Sequence, residues 1–107
     1  MNTLIVGYGN IGQKLYEEYK ALRPHRYDPY KNFFEKQDIL YDIAFICVDT
    51  PMKDNGECDL TQVEAAIRET NASVIVLRST VPPTTTNKLI QITNKHIVFS
   101  PEFYGTT

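Results

Sequence analysis

The sequence predicts an α/β protein built on a doubly wound parallel sheet, with about five strands and three main helices. Three observations carry that expectation. Leu4-Ile5-Val6 runs into Gly7-Tyr8-Gly9-Asn10-Ile11-Gly12 and then directly into an amphipathic pattern, the order of strand, tight turn and helix. Apolar, strand-like runs and helix-period runs alternate along the rest of the chain, as expected where helices cross over between parallel strands. The residues with chemistry to offer cluster just past the ends of the strand-like runs, where such sheets hold ligands.

The glycine stretch is the most specific local signal. Gly7 permits the tight turn, Gly9 lets backbone approach a pyrophosphate, and Gly12 lets the helix pack close to the strand. The helix start offers free N–H groups and a partial positive charge to phosphates. An acid, Asp28, lies 21 positions beyond Gly7, close to where a carboxylate reading ribose hydroxyls is expected. Together these predict a dinucleotide site; the alternative is a structural glycine turn in another α/β protein.

In chain order, Thr3 to Val6 reads as a buried first strand. Ile11, Leu15, Tyr19 and Leu22 recur at helical spacing, with Gln13, Lys14, Glu17, Glu18 and Lys20 opposite, and Pro24 closes that helix. His25 to Asp28 reads as a short second strand ending in the acid; the alternative for Asp28 is a turn residue ahead of Pro29. In Tyr30 to Tyr41 the aromatics are too spread for a strand, and the segment has room for only one or two helical turns. Ile43 to Val48 is an uninterrupted apolar run, read as a buried central strand with Cys47 as an inert core residue. Asn55-Gly56 marks a turn. Asp59 and Gln62 have the form of a helix start, followed by a buried stripe of Leu60, Val63, Ala66 and Ile67. Ser73 to Leu77 is the next strand, Thr84 to Ile92 a short helix capped by threonines, and His96 to Phe99 the last strand. Ligand-facing segments are therefore Gly7 to Gly12, Asp28, Asp49 to Pro51, Ser79 to Val81 and Pro101 to Phe103.

Composition narrows the classes. A chain of 107 residues makes one small domain, and 42% hydrophobic with 22% charged residues is ordinary for a soluble globular chain. A net charge of −2 without a Lys/Arg cluster argues against a nucleic-acid partner. Apolar runs are too short to span a membrane, and the N-terminus lacks a signal pattern. Two cysteines in unlike contexts suggest neither a disulfide framework nor a zinc site, which points to a reducing, cytoplasmic setting. The two histidines lack metal-ligand partners in sequence, so no metal site is expected.

The crevice segments also carry a resemblance. Phe45-Ile46-Cys47-Val48-Asp49-Thr50-Pro51, then Asp59-Leu60 with Val63, then Arg78-Ser79-Thr80-Val81-Pro82-Pro83, then Ser100-Pro101-Glu102-Phe103 resemble, in order, the NAD-binding domain of the UDP-glucose/GDP-mannose dehydrogenase family. The resemblance implies a Rossmann-like fold and enzymes that oxidise the C6 alcohol of a nucleotide sugar to a carboxylate, with two NAD+ and a cysteine-bound intermediate. It implies that Gly7, Gly9, Asn10, Ile11 and Gly12 back the pyrophosphate and that Asp28 binds the adenosine ribose and favours NAD over NADP. Val48, Asp49, Thr50, Pro51 and Ser79 would line the cofactor's path. Thr80 would lie near the nicotinamide and help hold the attacking water, and Glu102 would activate that water. A carboxylate beside a hydroxyl is a reasonable pair for hydrolysing a thioester.

The departures from the family pattern carry expectations of their own. Only 14 residues separate Asp28 from Ile43, where the family has room for a helix and another strand. The expected sheet order becomes 2-1-3-4-5, with a more open adenine side. Asp49 adds a negative charge where the family carries a small or neutral residue, Thr84 replaces a glycine, and no second acid follows Glu102. The resemblance places the catalytic cysteine, and the lysine and asparagine that bind substrate, in later domains; Cys58 does not match that cysteine. Residues 1–107 are thus expected to be a single NAD-binding domain, the N-terminal part of a longer dehydrogenase that dimerises through other domains, binding cofactor without turnover. The alternatives are a stand-alone, non-catalytic nucleotide-binding module, or a scaffold that kept the fold and lost the ligand.

Overall fold

The computed structural model describes residues 1–79, 81–82 and 85–100. Its elements are β1 (Thr3–Val6), α1 (Asn10–Glu18), β2 (His25–Asp28), β3 (Phe33–Phe34), β4 (Tyr41–Ile46), α2 (Thr61–Glu69), β5 (Ala72–Leu77), α3 (Thr85–Thr93) and β6 (Ile97–Phe99). They form one sheet in the order β3-β2-β1-β4-β5-β6. Every neighbouring pair is parallel except β2 and β3, which are antiparallel.

The doubly wound α/β class is as expected, and so are the three helices. The strand count and order are corrected: six strands rather than five, with β3 restoring an edge position beyond β2. Its origin is local. Pro29–Lys31 makes one turn of 3-10 helix, and Asn32, in the left-handed region at φ 62°, reverses the chain so that Phe33 and Phe34 run back along β2. A two-residue strand has no period to read, which is why the aromatics looked too dispersed.

The register sorts the sheet's two faces. Leu4, Ala44, Ile75 and Ile97 lie in one row, and Val6, Ile46, Leu77 and Phe99 in the next row of that face. Val63, Ala66 and Ile67 of α2 and Leu89 of α3 close over these rows to form the main core. Removing one such aliphatic side chain from water is worth about 1.5–3 kcal/mol, so these rows dominate the stability of the domain. On the other face α1 packs Ile11, Leu15 and Tyr16 against Ile5, Phe45 and Cys47.

Several boundaries differ from expectation: β5 starts at Ala72 rather than Ser73, β6 starts at Ile97 rather than His96, and α3 ends at Thr93 rather than Ile92, while Thr84, read as its start, lies outside the described residues. Helix α1 ends at Glu18; Lys20–Leu22 tightens into a 3-10 turn, and Arg23 takes a left-handed conformation at φ 50°. Tyr19 and Leu22 are therefore exposed rather than buried with Leu15, although Tyr19 stacks on Phe45 at 5.6 Å between ring centroids. The central strand β4 begins at Tyr41, and Cys47 and Val48 leave it to start a loop. At the start of α2, Asp59 accepts from the amide and hydroxyl of Thr61, so the acid turns the chain one step before the helix rather than capping it with Gln62.

Candidate functional site

The C-terminal ends of β1, β2 and β4 meet at a crevice of about 470 Å³. The glycine turn forms its head. Gly7 has φ 91°, and a Cβ there would lie 2.8 Å from the backbone of Cys47 and Val48. Its N–H donates to Tyr27 O at 2.9 Å, while Cys47 N–H donates to Val6 O at 2.7 Å, so the turn is held between β2 and β4. A Cβ on Gly12 would overlap the Gly7 carbonyl oxygen. Both glycines are thus required by the protein's own packing.

Gly9 is different. It is extended, and a Cβ on it would meet no atom within 4 Å. Helix α1 starts at the next residue with no side-chain cap. The first-turn amides of Asn10, Ile11 and Gly12 have no intrahelical carbonyl to donate to. Open space beside a glycine, next to a helix start with free donors, fits a phosphate group brought close to the backbone. The Ile11 side chain packs down onto the Ile5–Leu15–Cys47 cluster, leaving its amide as its polar contribution to the site.

Asp28 sits half-buried at the end of β2 and lines the crevice. One carboxylate oxygen accepts from Tyr8 N–H at 2.7 Å and the other from Tyr30 N–H at 3.1 Å. It is therefore both the turn aspartate ahead of Pro29 and an acid facing the crevice. Each oxygen keeps a lone pair for a further donor, and an ionised carboxylate accepts only, which suits a pair of ribose hydroxyls and repels a phosphate.

Past β4, Val48 and the exposed Asp49 line the crevice, but Thr50 and Pro51 lie beyond the lining. Ser79 is only 1% exposed. Its hydroxyl donates to Val48 O at 2.7 Å, so its side chain braces the loop that carries Val48 and Asp49. Thr80 and Glu102 lie outside the described residues. Cys47 borders the crevice floor, yet burial pushes its thiol up to about 12, so it stays protonated and inert as expected. Among the described residues no group of histidine, cysteine and acidic side chains is placed to hold a metal ion, and no helix is long and apolar enough to cross a membrane.

The crevice extends further than sequence reasoning indicated. Gln62, Ala65, Ala66 and Glu69 form its far wall, spaced along one side of α2. That spacing is the signal that could have found them: positions i, i+3, i+4 and i+7, with two alanines that leave room at the centre. Tyr30 and Lys31, on the 3-10 turn after β2, complete the rim.

A mostly parallel sheet with a glycine turn, an open first helical turn and an acid at the end of β2 defines an NAD-binding α/β domain. Comparison with known proteins agrees. The family model described as UDP-glucose/GDP-mannose dehydrogenase family, NAD binding domain, matches residues 13–105, and the chain belongs to that family. The matched range starts just after the glycine fingerprint, so the two lines of support rest largely on different residues.

Among similar curated proteins, GDP-mannose 6-dehydrogenase of Pseudomonas aeruginosa is 38% identical over 65 residues, covering 53% of this chain and 15% of that protein. UDP-glucose 6-dehydrogenase of Rickettsia bellii is 29% identical over 100 residues, covering 84% of this chain and 23% of that protein. Two solved structures share the fold over 96% of this chain and 36% of theirs. One is a ternary complex of GDP-mannose dehydrogenase from Pseudomonas aeruginosa, with TM-score 0.59 and 21% identity. The other is UDP-glucose dehydrogenase from Pyrobaculum islandicum, with TM-score 0.54 and 24% identity. The chain thus spans less than a quarter of the length of these curated relatives.

Proposed function

We propose that these residues form the cofactor-binding domain of a nucleotide-sugar 6-dehydrogenase, which oxidises the C6 alcohol of its substrate to a carboxylate. When bound, NAD+ supplies the hydride acceptor, two NAD+ in succession for the four-electron change from alcohol to carboxylate. The observation that carries the reading is the pairing of open space at Gly9 with Asp28 across the head of the crevice. In this reading the amides of Asn10, Ile11 and Gly12 hold the pyrophosphate and Asp28 accepts from the adenosine ribose. Val48 and Asp49 border the cofactor's path, Ser79 orders them, and Thr50 and Pro51 act beyond the crevice toward the reaction centre. In the same reading Thr80 would hold the attacking water and Glu102 would activate it.

The 107-residue polypeptide by itself binds NAD+ without turnover in this reading. The cysteine chemistry supports that. Cys47 is buried with a raised pKa, and Cys58 sits in the loop before α2, away from the crevice lining. Two free, separated cysteines also suit a reducing cytoplasm, and homodimerisation would use surfaces elsewhere in a longer protein.

Calorimetric titration with NAD+ and NADP+ tests the reading, with the Asp28→Asn variant as control. Binding of NAD+ over NADP+, weakened on losing the Asp28 charge, supports it. Absence of binding to both by the folded chain would overturn it and favour the scaffold alternative.

A further inference from the structure

The face of the sheet opposite the crevice carries a cluster that the cofactor site does not account for. Arg26, on β2, is not part of the crevice lining and lies instead over Tyr16 of α1, on the other face of the sheet. Glu35, just past β3, holds it by a two-point pair: Nε to Oε1 at 2.9 Å and Nη2 to Oε2 at 2.6 Å. The same Oε1 accepts from Arg26 N–H at 2.9 Å, and Glu35 N–H donates to Arg26 O at 2.9 Å. The pair therefore extends the β2–β3 hairpin by one position and fixes the plane of the guanidinium.

That guanidinium lies among three rings from three elements. Its carbon is 4.4 Å from the centroid of Tyr16 on α1, 4.5 Å from Phe33 on β3 and 5.4 Å from Tyr8 in the glycine turn. The Tyr8 ring lies 4.5 Å from Phe33 and meets Tyr16 edge-on at 5.9 Å. Tyr8 is the residue between Gly7 and Gly9, and its N–H donates to Asp28. Its main chain is thus pinned from the crevice side and its side chain from the opposite side.

We infer that Arg26, oriented by Glu35, is a positioning residue for the glycine turn: it holds the Tyr8 ring, so the amides that follow Gly9 are aimed before any ligand arrives. The physical need is clear. Backbone bonds and Asp28 fix the turn as far as the Tyr8 amide, but α1 begins with no side-chain cap, so contacts to the Tyr8 ring add order to the amides beyond Gly9 that a ligand would otherwise have to supply at the expense of affinity. A bidentate arginine–carboxylate pair stacked on rings is a stiff way to supply that order; an ordinary exposed ion pair would contribute little.

The part that concerns NAD rests on the proposed function; the part that concerns Tyr8 does not. The experiment compares the unmodified chain with Glu35→Gln, Arg26→Lys, Arg26→Met and, as a control, Glu64→Gln, which breaks the exposed Glu64–Arg68 pair on α2. Two quantities are read: hydrogen-exchange protection of the Tyr8 amide relative to the Ile75 amide in the core, and the Kd for NAD+. Glu35→Gln and Arg26→Met should lower the relative protection of Tyr8 and raise Kd on the order of tenfold, within the range for residues in one hydrogen-bond network. Arg26→Lys, which keeps the charge without the fork, should fall between, and Glu64→Gln should match the unmodified chain. Folded Glu35→Gln and Arg26→Lys variants with unchanged Tyr8 protection and unchanged Kd would overturn the inference. Equal loss of protection at Tyr8 and Ile75 would also overturn it, by reducing the cluster to general stability. If the unmodified chain bound no NAD+, the functional reading would fail by itself, and Tyr8 exchange would still decide this one.

Discussion

The Tyr8 amide donates to the Asp28 carboxylate at 2.7 Å, so the acid at the end of β2 holds the turn at the end of β1. One side chain therefore serves both the fold and the proposed ribose contact. Asp28→Ala should lower stability by about 1.5–3 kcal/mol, the usual range for a hydrogen bond to a charged group. Asp28→Asn, which keeps one acceptor oxygen, should lose less. Urea unfolding of the two variants checks the ordering, and NAD+ affinity should fall in both.

Gly9 and Gly12 should separate by experiment. Gly9→Ala meets open space, so its melting temperature should stay close to that of the unmodified chain while NAD+ affinity falls at least tenfold. Gly12→Ala forces backbone apart and should cost about 1–3 kcal/mol, as overpacking does. Thermal melts with and without NAD+ measure both. Equal loss of stability in the two variants would contradict the distinct roles.

Acid should weaken the hairpin. The Arg26 guanidinium holds the Glu35 carboxyl below its ordinary value of 4.5, chiefly through the side-chain hydrogen bond, with burial opposing. A carboxyl whose folded pKa is depressed contributes stability that is complete above its unfolded pKa and is lost as pH falls through the folded value. Stability should therefore decline from about pH 4.5 downward, and less steeply in Glu35→Gln. Both partners are partly exposed, so solvent keeps the difference small. Urea midpoints from pH 6 to pH 3 would reveal it.

Thiol labelling should distinguish the cysteines. With its thiol pushed up to about 12 by burial, Cys47 should resist a disulfide reagent at neutral pH, leaving Cys58 as the reacting group in the native chain. Both should react in denaturant. Fast labelling of native Cys47 would mean that the crevice floor opens readily.

One buried polar atom invites improvement. Among the described residues, the buried Thr3 hydroxyl in β1 has no hydrogen-bond partner. Thr3→Val keeps the branched shape suited to a strand and removes an unmet donor, so it should raise stability by about 1 kcal/mol. A rise in the urea midpoint with an unchanged slope is the expected result.

The sequence by itself determined the first two strands, because turn residues bracket them: Gly7 ends β1, and Pro24 and Pro29 flank β2. β1 and β2 have the expected bounds, Thr3–Val6 and His25–Asp28. The glycine turn follows because Gly7 and Gly12 leave no choice of residue where backbone passes so close to backbone. The core role of Cys47 was equally legible, since an uninterrupted apolar run can only be buried.

Only the tertiary structure decided the rest, because those features depend on partners distant in the chain. Strand β3 exists through Arg26, Tyr8 and β2, not through any period of its own two residues. Ser79 could be placed near the crevice from its motif, but that its hydroxyl braces Val48 required the positions of β4 and β5. The far wall on α2 was hidden because its residues, read along the chain, resemble a helix surface of mixed polarity. They become a wall only once β2 and its following turn lie opposite. Local sequence sets which backbone shapes are accessible at each point; the sheet order sets which of those points face one another, and the proposed cofactor site is made of the facing.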